Sequence, residues 1–99
     1  MGTPLSLSLN RRNDGTQVLL VRGELDMSNI DGFIQALRDA TSDGRTITID
    51  LGAVEYLDSA AINALFDHVG QIDILANEVL MPLLTVSGLA DVVPVQPSP

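Results

Sequence analysis

The chain has 99 residues, no cysteine and a formal net charge of −8, from five arginines and no lysine against 13 acidic residues. That charge has the wrong sign for holding a phosphate backbone. The missing thiols exclude a disulfide framework and thiolate chemistry, and the single His68 cannot build a zinc site. The length suits one small domain, burying about 60 to 65 % of its unfolded surface. No run approaches the roughly 18 apolar residues of a membrane span, and the N-terminus has no basic region followed by an apolar core. The expectation is a cytoplasmic protein with no membrane partner and no direct nucleic-acid contact.

Leu5-Ser6-Leu7-Ser8-Leu9 alternates strictly and predicts a half-buried first strand. Asn13-Asp14-Gly15 supplies residues that accept positive φ in a tight turn. Gln17 to Leu25 is a second strand, apolar enough for a central place in the sheet, and the two should form a hairpin. Ser28 with Asp31 resembles a capping box, opening a helix with Ile30, Phe33, Ile34, Leu37 and Thr41 down one face. Thr41-Ser42-Asp43-Gly44 closes it.

Thr46 to Leu51 alternates again, placing Ile47, Ile49 and Leu51 on one buried face of a third strand. Past Gly52 the period changes. From Ser59 the apolar residues Ile62, Leu65, Phe66 and Val69 recur at helical spacing, with Asp58 at the N-cap. Strands 2 and 3 should therefore be parallel, joined by a helical crossover. A hydroxyl at the mouth of the second helix lies beside free backbone N–H groups and the positive end of the helix dipole, which suits an added phosphate.

Two readings of the last third stay open. In the preferred one Gly70-Gln71 ends the second helix, Ile72 to Ala76 is a fourth strand, and Glu78 to Ser87 is a third helix closed by Gly88; Pro82 fits if the helix starts there. In the other the second helix runs to Leu75 and Val79 to Leu83 is the strand. Residues 94–99, rich in proline, are expected to form a loosely ordered tail to the domain spanning 1–99.

Glu24, Asp26 and Asp58 all fall just past strand ends, where side chains converge as ligand sites do. Three carboxylates there suit Mg²⁺ or acid/base work, whereas the plain alternative makes Asp26 and Asp58 turn and cap residues. Ser59 lacks the Gly-x-Ser-x-Gly elbow of a hydrolase, and no Gly-rich phosphate loop is present.

Gly23-Glu24-Leu25-Asp26, Ile49-Asp50-Leu51 with Val54, Tyr56-Leu57-Asp58-Ser59 and Val86-Ser87-Gly88-Leu89, in that order, resemble the STAS domain in its single-domain form, the bacterial anti-sigma factor antagonist. The resemblance implies an α/β fold: a mixed four-stranded sheet, order 1-2-3-4, with helices packed on one side. It implies a non-enzymatic partner switch without a cofactor, in which the unmodified protein binds a kinase-type anti-sigma factor and frees a sigma factor. That partner, with its own ATP and Mg²⁺, would phosphorylate Ser59. Asp26 and Asp58 would flank the acceptor on the contact surface, and Ile62 and Phe66 would supply its apolar centre. A monomer or weak dimer is expected. Two departures stand out: Ala60-Ala61-Ile62 replaces the family's hydroxyl residue and Gly-Leu, and the stretch from Ser59 to Gly88 is short. The alternative is an unmodified STAS-like subunit of a larger assembly of lipid-transport or stressosome type, and a third possibility is a small hydrolase or metal-dependent enzyme using Asp26, Asp58 and Ser59.

Overall fold

The alternation of residues 5–9 and the turn at 13–15 produce the expected hairpin. In the computed structural model, which describes residues 3–99, β1 (Ser6–Arg11) pairs antiparallel with β2 (Gln17–Leu25), Ser6 opposite Arg22 and Arg11 opposite Gln17. Asp14 closes the turn by accepting the Thr16 N–H at 2.9 Å, a bond that holds its carboxyl below the usual carboxylate range. The chain continues through α1 (Ile30–Thr41), β3 (Ile47–Leu57), α2 (Ser59–Phe66), β4 (Ile72–Ala76), α3 (Met81–Val86), α4 (Leu89–Val92) and β5 (Val95–Pro97). The sheet order is β1-β2-β3-β4-β5, parallel from β2 onward.

Successive strand residues point to opposite faces, and only one face is covered. Leu19, Val21 and Leu25 of β2, Ile47, Ile49 and Leu51 of β3, and Ile72, Ile74 and Ala76 of β4 are buried in one core with Phe33, Leu37, Ala61, Leu65, Leu84 and Leu89 from the helices. The helices therefore lie on one side, as expected. The other face carries Ser6, Ser8, Leu20, Arg22, Thr48, Asp50, Asp73 and Leu75 with no helix over it.

β3 outruns the alternation that predicts it. Leu20 pairs with Asp50 but Arg22 with Ala53, and Gly23 with Val54 but Glu24 with Tyr56, so β3 holds an extra residue at each of two bulges. Asp50 Oδ1 accepts the Gly52 N–H at 2.9 Å, and Asn77 Nδ2 donates to the carbonyls of Val54 (2.8 Å), Gly52 (3.2 Å) and Leu51 (3.4 Å). Beside the second bulge Gly23 has φ +90°, and a Cβ there would collide with the Pro4 carbonyl. The bulges carry β3 on until Leu57 stands beside Leu25, which brings the ends of β2 and β3 level.

The preferred reading of the last third holds, with additions. α3 begins at Met81 with Pro82 in its first turn, where a missing N–H costs nothing. Gly88, at φ +86°, ends it, and residues 89–92 make a further helical turn that the sequence pattern does not predict. The tail expected to be loose carries a strand: Val95–Pro97 pairs with β4, flanked by Ile74 N–H to Pro94 (2.9 Å) and Ser98 N–H to Ala76 (2.8 Å). The sheet therefore has five strands rather than four. Prolines are tolerated there because an edge strand needs donors on one side only. α2 also stops at Phe66, leaving Val69 in the turn that follows.

Candidate functional site

Three parallel strands deliver their following loops to one edge of the sheet, and Asp58 ties two of those loops together. As N-cap of α2 its Oδ1 accepts the N–H groups of Ala60 (3.0 Å) and Ala61 (3.2 Å). Its Oδ2 accepts the Met27 N–H at 3.0 Å, across 31 residues of chain. The Asp58 N–H in turn donates to the Leu25 carbonyl at 3.3 Å. One aspartate thus caps a helix and fixes the β2–α1 loop against the β3–α2 turn.

Asp26 lies in that neighbouring loop. Its Oδ1 accepts the Ser28 N–H at 2.9 Å and also the Ser28 hydroxyl. This capture replaces the capping box expected of Ser28 and Asp31: α1 starts after Asn29, which makes no side-chain cap bond. Asn29 instead braces the loop from within, its Oδ1 accepting the Asp26 N–H (3.0 Å) and its Nδ2 donating to the Glu24 carbonyl (2.9 Å). Asn29 and Asn77 stand outside every motif and periodicity of the sequence. Their signal was an asparagine beside a strand end, where a short amide side chain satisfies loop backbone.

Ser59 is the first residue of α2 and is exposed to solvent. Asp26, Asp58 and Ser59 therefore share one edge, on two loops joined by the Met27–Asp58 bond. The expectation of free N–H groups around the Ser59 hydroxyl needs correction. Ala60 and Ala61 give theirs to Asp58, and the Ile62 N–H goes to the Asp58 carbonyl at 3.1 Å. An anion on Ser59 would meet a carboxylate already seated on the helix mouth.

Ile62 and Phe66 do not sit with this group as surface residues. Ile62 is only 6 % exposed and belongs to the core; Phe66 is half-buried against it. The cause is the position of α2, packed against β3, α1 and α4 together, so its buried stripe is wide. The large exposed apolar residues at this edge are Met27 and Val79 in the loops after β2 and β4, and Tyr56 near the end of β3.

The three carboxylates at the strand ends are committed to different backbone donors. Glu24 Oε2 accepts the Thr3 N–H at 3.0 Å, Asp26 serves Ser28, and Asp58 serves Met27, Ala60 and Ala61. Among the described residues no group of three or more His, Asp or Glu side chains is placed to hold a metal ion, and no helix is long and apolar enough to cross a membrane.

The one-sided helix layer, the sheet order and the capped turn after β3 define a small α/β domain of SpoIIAA-like fold. Residues 8–94 match the family model described as Mlab, STAS domain, and the chain belongs to the STAS domain family. Solved structures agree on the fold. An anti-sigma factor antagonist from Mycobacterium paratuberculosis is similar at 24 % identity and a TM-score of 0.86, over 96 % of this chain and 87 % of that one. The anti-sigma factor antagonist SpoIIAA in its unphosphorylated form is similar at 17 % identity and a TM-score of 0.68, over 92 % and 88 %. A Shewanella loihica protein of the DUF3478 family, with a SpoIIAA-like fold, is similar at 13 % identity and a TM-score of 0.63, over 97 % and 86 %. No curated protein matches the sequence significantly.

Proposed function

We propose that this protein is an anti-sigma factor antagonist whose unmodified form binds a kinase-type anti-sigma factor, releasing a sigma factor, and whose phosphorylation at Ser59 ends that binding. The observation that carries the reading is the position of Ser59: an exposed hydroxyl at the start of α2, next to the aspartate that joins the β2 and β3 loops. The likeness to two antagonists supports it at the level of the fold.

The switch follows from charge and bulk. A phosphate adds about −1.5 to −2 charge. With Asp58 occupying the Ala60 and Ala61 N–H groups, the phosphate finds no vacant pair of amides and stays hydrated at the surface, in the middle of the contact. The helix and its cap survive, so the modification acts on binding more than on folding. The protein supplies the acceptor and its surroundings, and the partner brings ATP and the phosphoryl-transfer machinery.

A second reading, a STAS subunit of a larger assembly of lipid-transport or stressosome type with Ser59 unmodified, draws on two features. The matching family model is of the Mlab type, and Ala60-Ala61 replace the hydroxyl and glycine that follow the acceptor in the antagonists the sequence resembles. Intact-mass analysis after incubation with a kinase-type anti-sigma factor and ATP separates the two. Wild type is expected to gain one phosphate and Ser59→Ala none; equal modification of Ser59→Ala would move the acceptor elsewhere, and an unmodified wild type would favour the second reading.

A further inference from the structure

The ends of the molecule differ in charge. The edge where β2, β3 and β4 finish carries Glu24, Asp26, Asp31, Glu55, Asp58 and Glu78, in the last residues of the strands, the loops beyond them and the first turn of α1. None of these segments contains a basic residue. Arg11, Arg12, Arg38 and Arg45 belong to the opposite edge, in the β1–β2 hairpin, the last turn of α1 and the loop into β3. Arg22 lies lower, on the uncovered face of β2 opposite Ala53.

Three exposed apolar residues stand within the acidic edge. Met27 is 77 % exposed, Tyr56 51 % and Val79 74 %, one on the segment at each strand end. They are linked through the fold. The Met27 N–H bonds Asp58, two residues after Tyr56, and Val79 lines a groove with Ala53, Val54, Glu55 and Asn77. Asp58 bonds the Met27 backbone, Tyr56 lies in β3 opposite Glu24, and Asn77 accepts the N–H of Leu80, next to Val79, so these side chains are presented from braced segments.

We infer that Met27, Tyr56 and Val79 form the apolar centre of a docking surface whose occupant is a partner protein with an apolar patch ringed by arginine or lysine. Charge decides the occupant. A second copy of this chain would bring the same six carboxylates against themselves, and a nucleic acid or an anionic lipid surface would be repelled as strongly. A cationic rim pairs with the carboxylates, while the uncharged centre excludes water from the contact. The inference deepens the proposed function by naming the chemistry its partner must present, and it moves the apolar centre from α2 to the ends of β2, β3 and β4 and the loops that follow them.

The test is an amide-shift titration of the ¹⁵N-labelled protein, with affinities measured for wild type, Met27→Ser and Val79→Ser. Val86→Ser, on the exposed outer side of α3, is the control. The titrants are a kinase-type anti-sigma factor and, independently of that partner, a synthetic amphipathic helix with leucine on one face and arginine along its edges. With the anti-sigma factor, shifts are expected at residues 26–28, 55–59 and 77–79. Met27→Ser and Val79→Ser should each bind about tenfold more weakly, Val86→Ser as wild type, and affinity should fall as salt rises. If the anti-sigma factor binds elsewhere, or binds both variants like wild type, the docking surface is wrong and the proposed function stands. If it does not bind at all, the proposed function falls and the peptide decides. Localised, variant-sensitive binding keeps the surface, and diffuse or unaltered binding overturns it.

Discussion

The two edges of the sheet are closed by different means. At the edge opposite the candidate site the turns are local: Asp14 bonds Thr16, Asp43 bonds Arg45, and glycines at positive φ, Gly15, Gly44 and Gly70, reverse the chain. At the candidate site the loops are held by side chains reaching far along the sequence: Asp58 to Met27, Asn77 to Val54, and Glu24 to Thr3. A locally closed turn sets only its own shape. A long-range brace sets where one loop lies relative to another, which a surface assembled from three loops requires. Among the described residues the fold therefore concentrates its long-range side-chain hydrogen bonds where several loops must present one face.

Breaking the Asp58 brace should have the largest effect. Asp58→Ala removes the α2 cap, costing about 1 to 2 kcal/mol, and leaves the Met27 N–H without its carboxylate, costing about another 1 kcal/mol. A loss of about 2 to 3 kcal/mol in chemical denaturation is expected, with faster amide exchange at Met27 as well as Ala60 and Ala61. Loss confined to α2 would mean that the two loops are not coupled.

Asp26 sharpens the contrast from the other side. Asp26→Asn keeps an oxygen that accepts from Ser28, so stability should stay within about 0.5 kcal/mol while partner binding or phosphorylation changes with the lost charge. A large drop in melting temperature with normal binding would make Asp26 a structural turn residue only. At the opposite edge Asp43→Ala removes a turn bond and an exposed pair with Arg45 at 3.3 Å, and should cost no more than about 0.5 kcal/mol with binding unaltered. A binding defect there would break the division between the edges.

Much of the site's scaffold was readable because it rests on local rules. The alternation at residues 5–9 and 46–51 and the near-continuous apolar run at 17–25 located three strands, and Asp58 before a helical repeat located a cap. What was not readable depends on competition or on tertiary packing. Ser28 looked like a cap, but Asp26 takes its hydroxyl. The bulges of β3 break the period-two pattern, so the alternation ends at Leu51 although Asp50 and Asn77 carry the strand on to Leu57. Ile62 showed helical spacing, yet spacing does not reveal how many neighbours press on a helix, and α2 is enclosed from several sides. β5 gave no signal because three residues among prolines carry no period.

The central claim is that charge at the start of α2 governs binding without unfolding the domain. Calorimetric titration of wild type, Ser59→Ala and Ser59→Asp against one kinase-type anti-sigma factor, with melting curves alongside, tests it most directly. Ser59→Ala should bind like wild type, because it removes the acceptor without adding an anion. Ser59→Asp should bind about 30-fold more weakly, the cost of setting an unpaired anion in a packed contact, about 2 kcal/mol. All three should melt within a few degrees of one another, since an anion at a helix N-terminus is mildly favourable and Asp58 offsets part of that gain. Equal affinities from three folded proteins would contradict the switch and leave a STAS domain that binds irrespective of its Ser59.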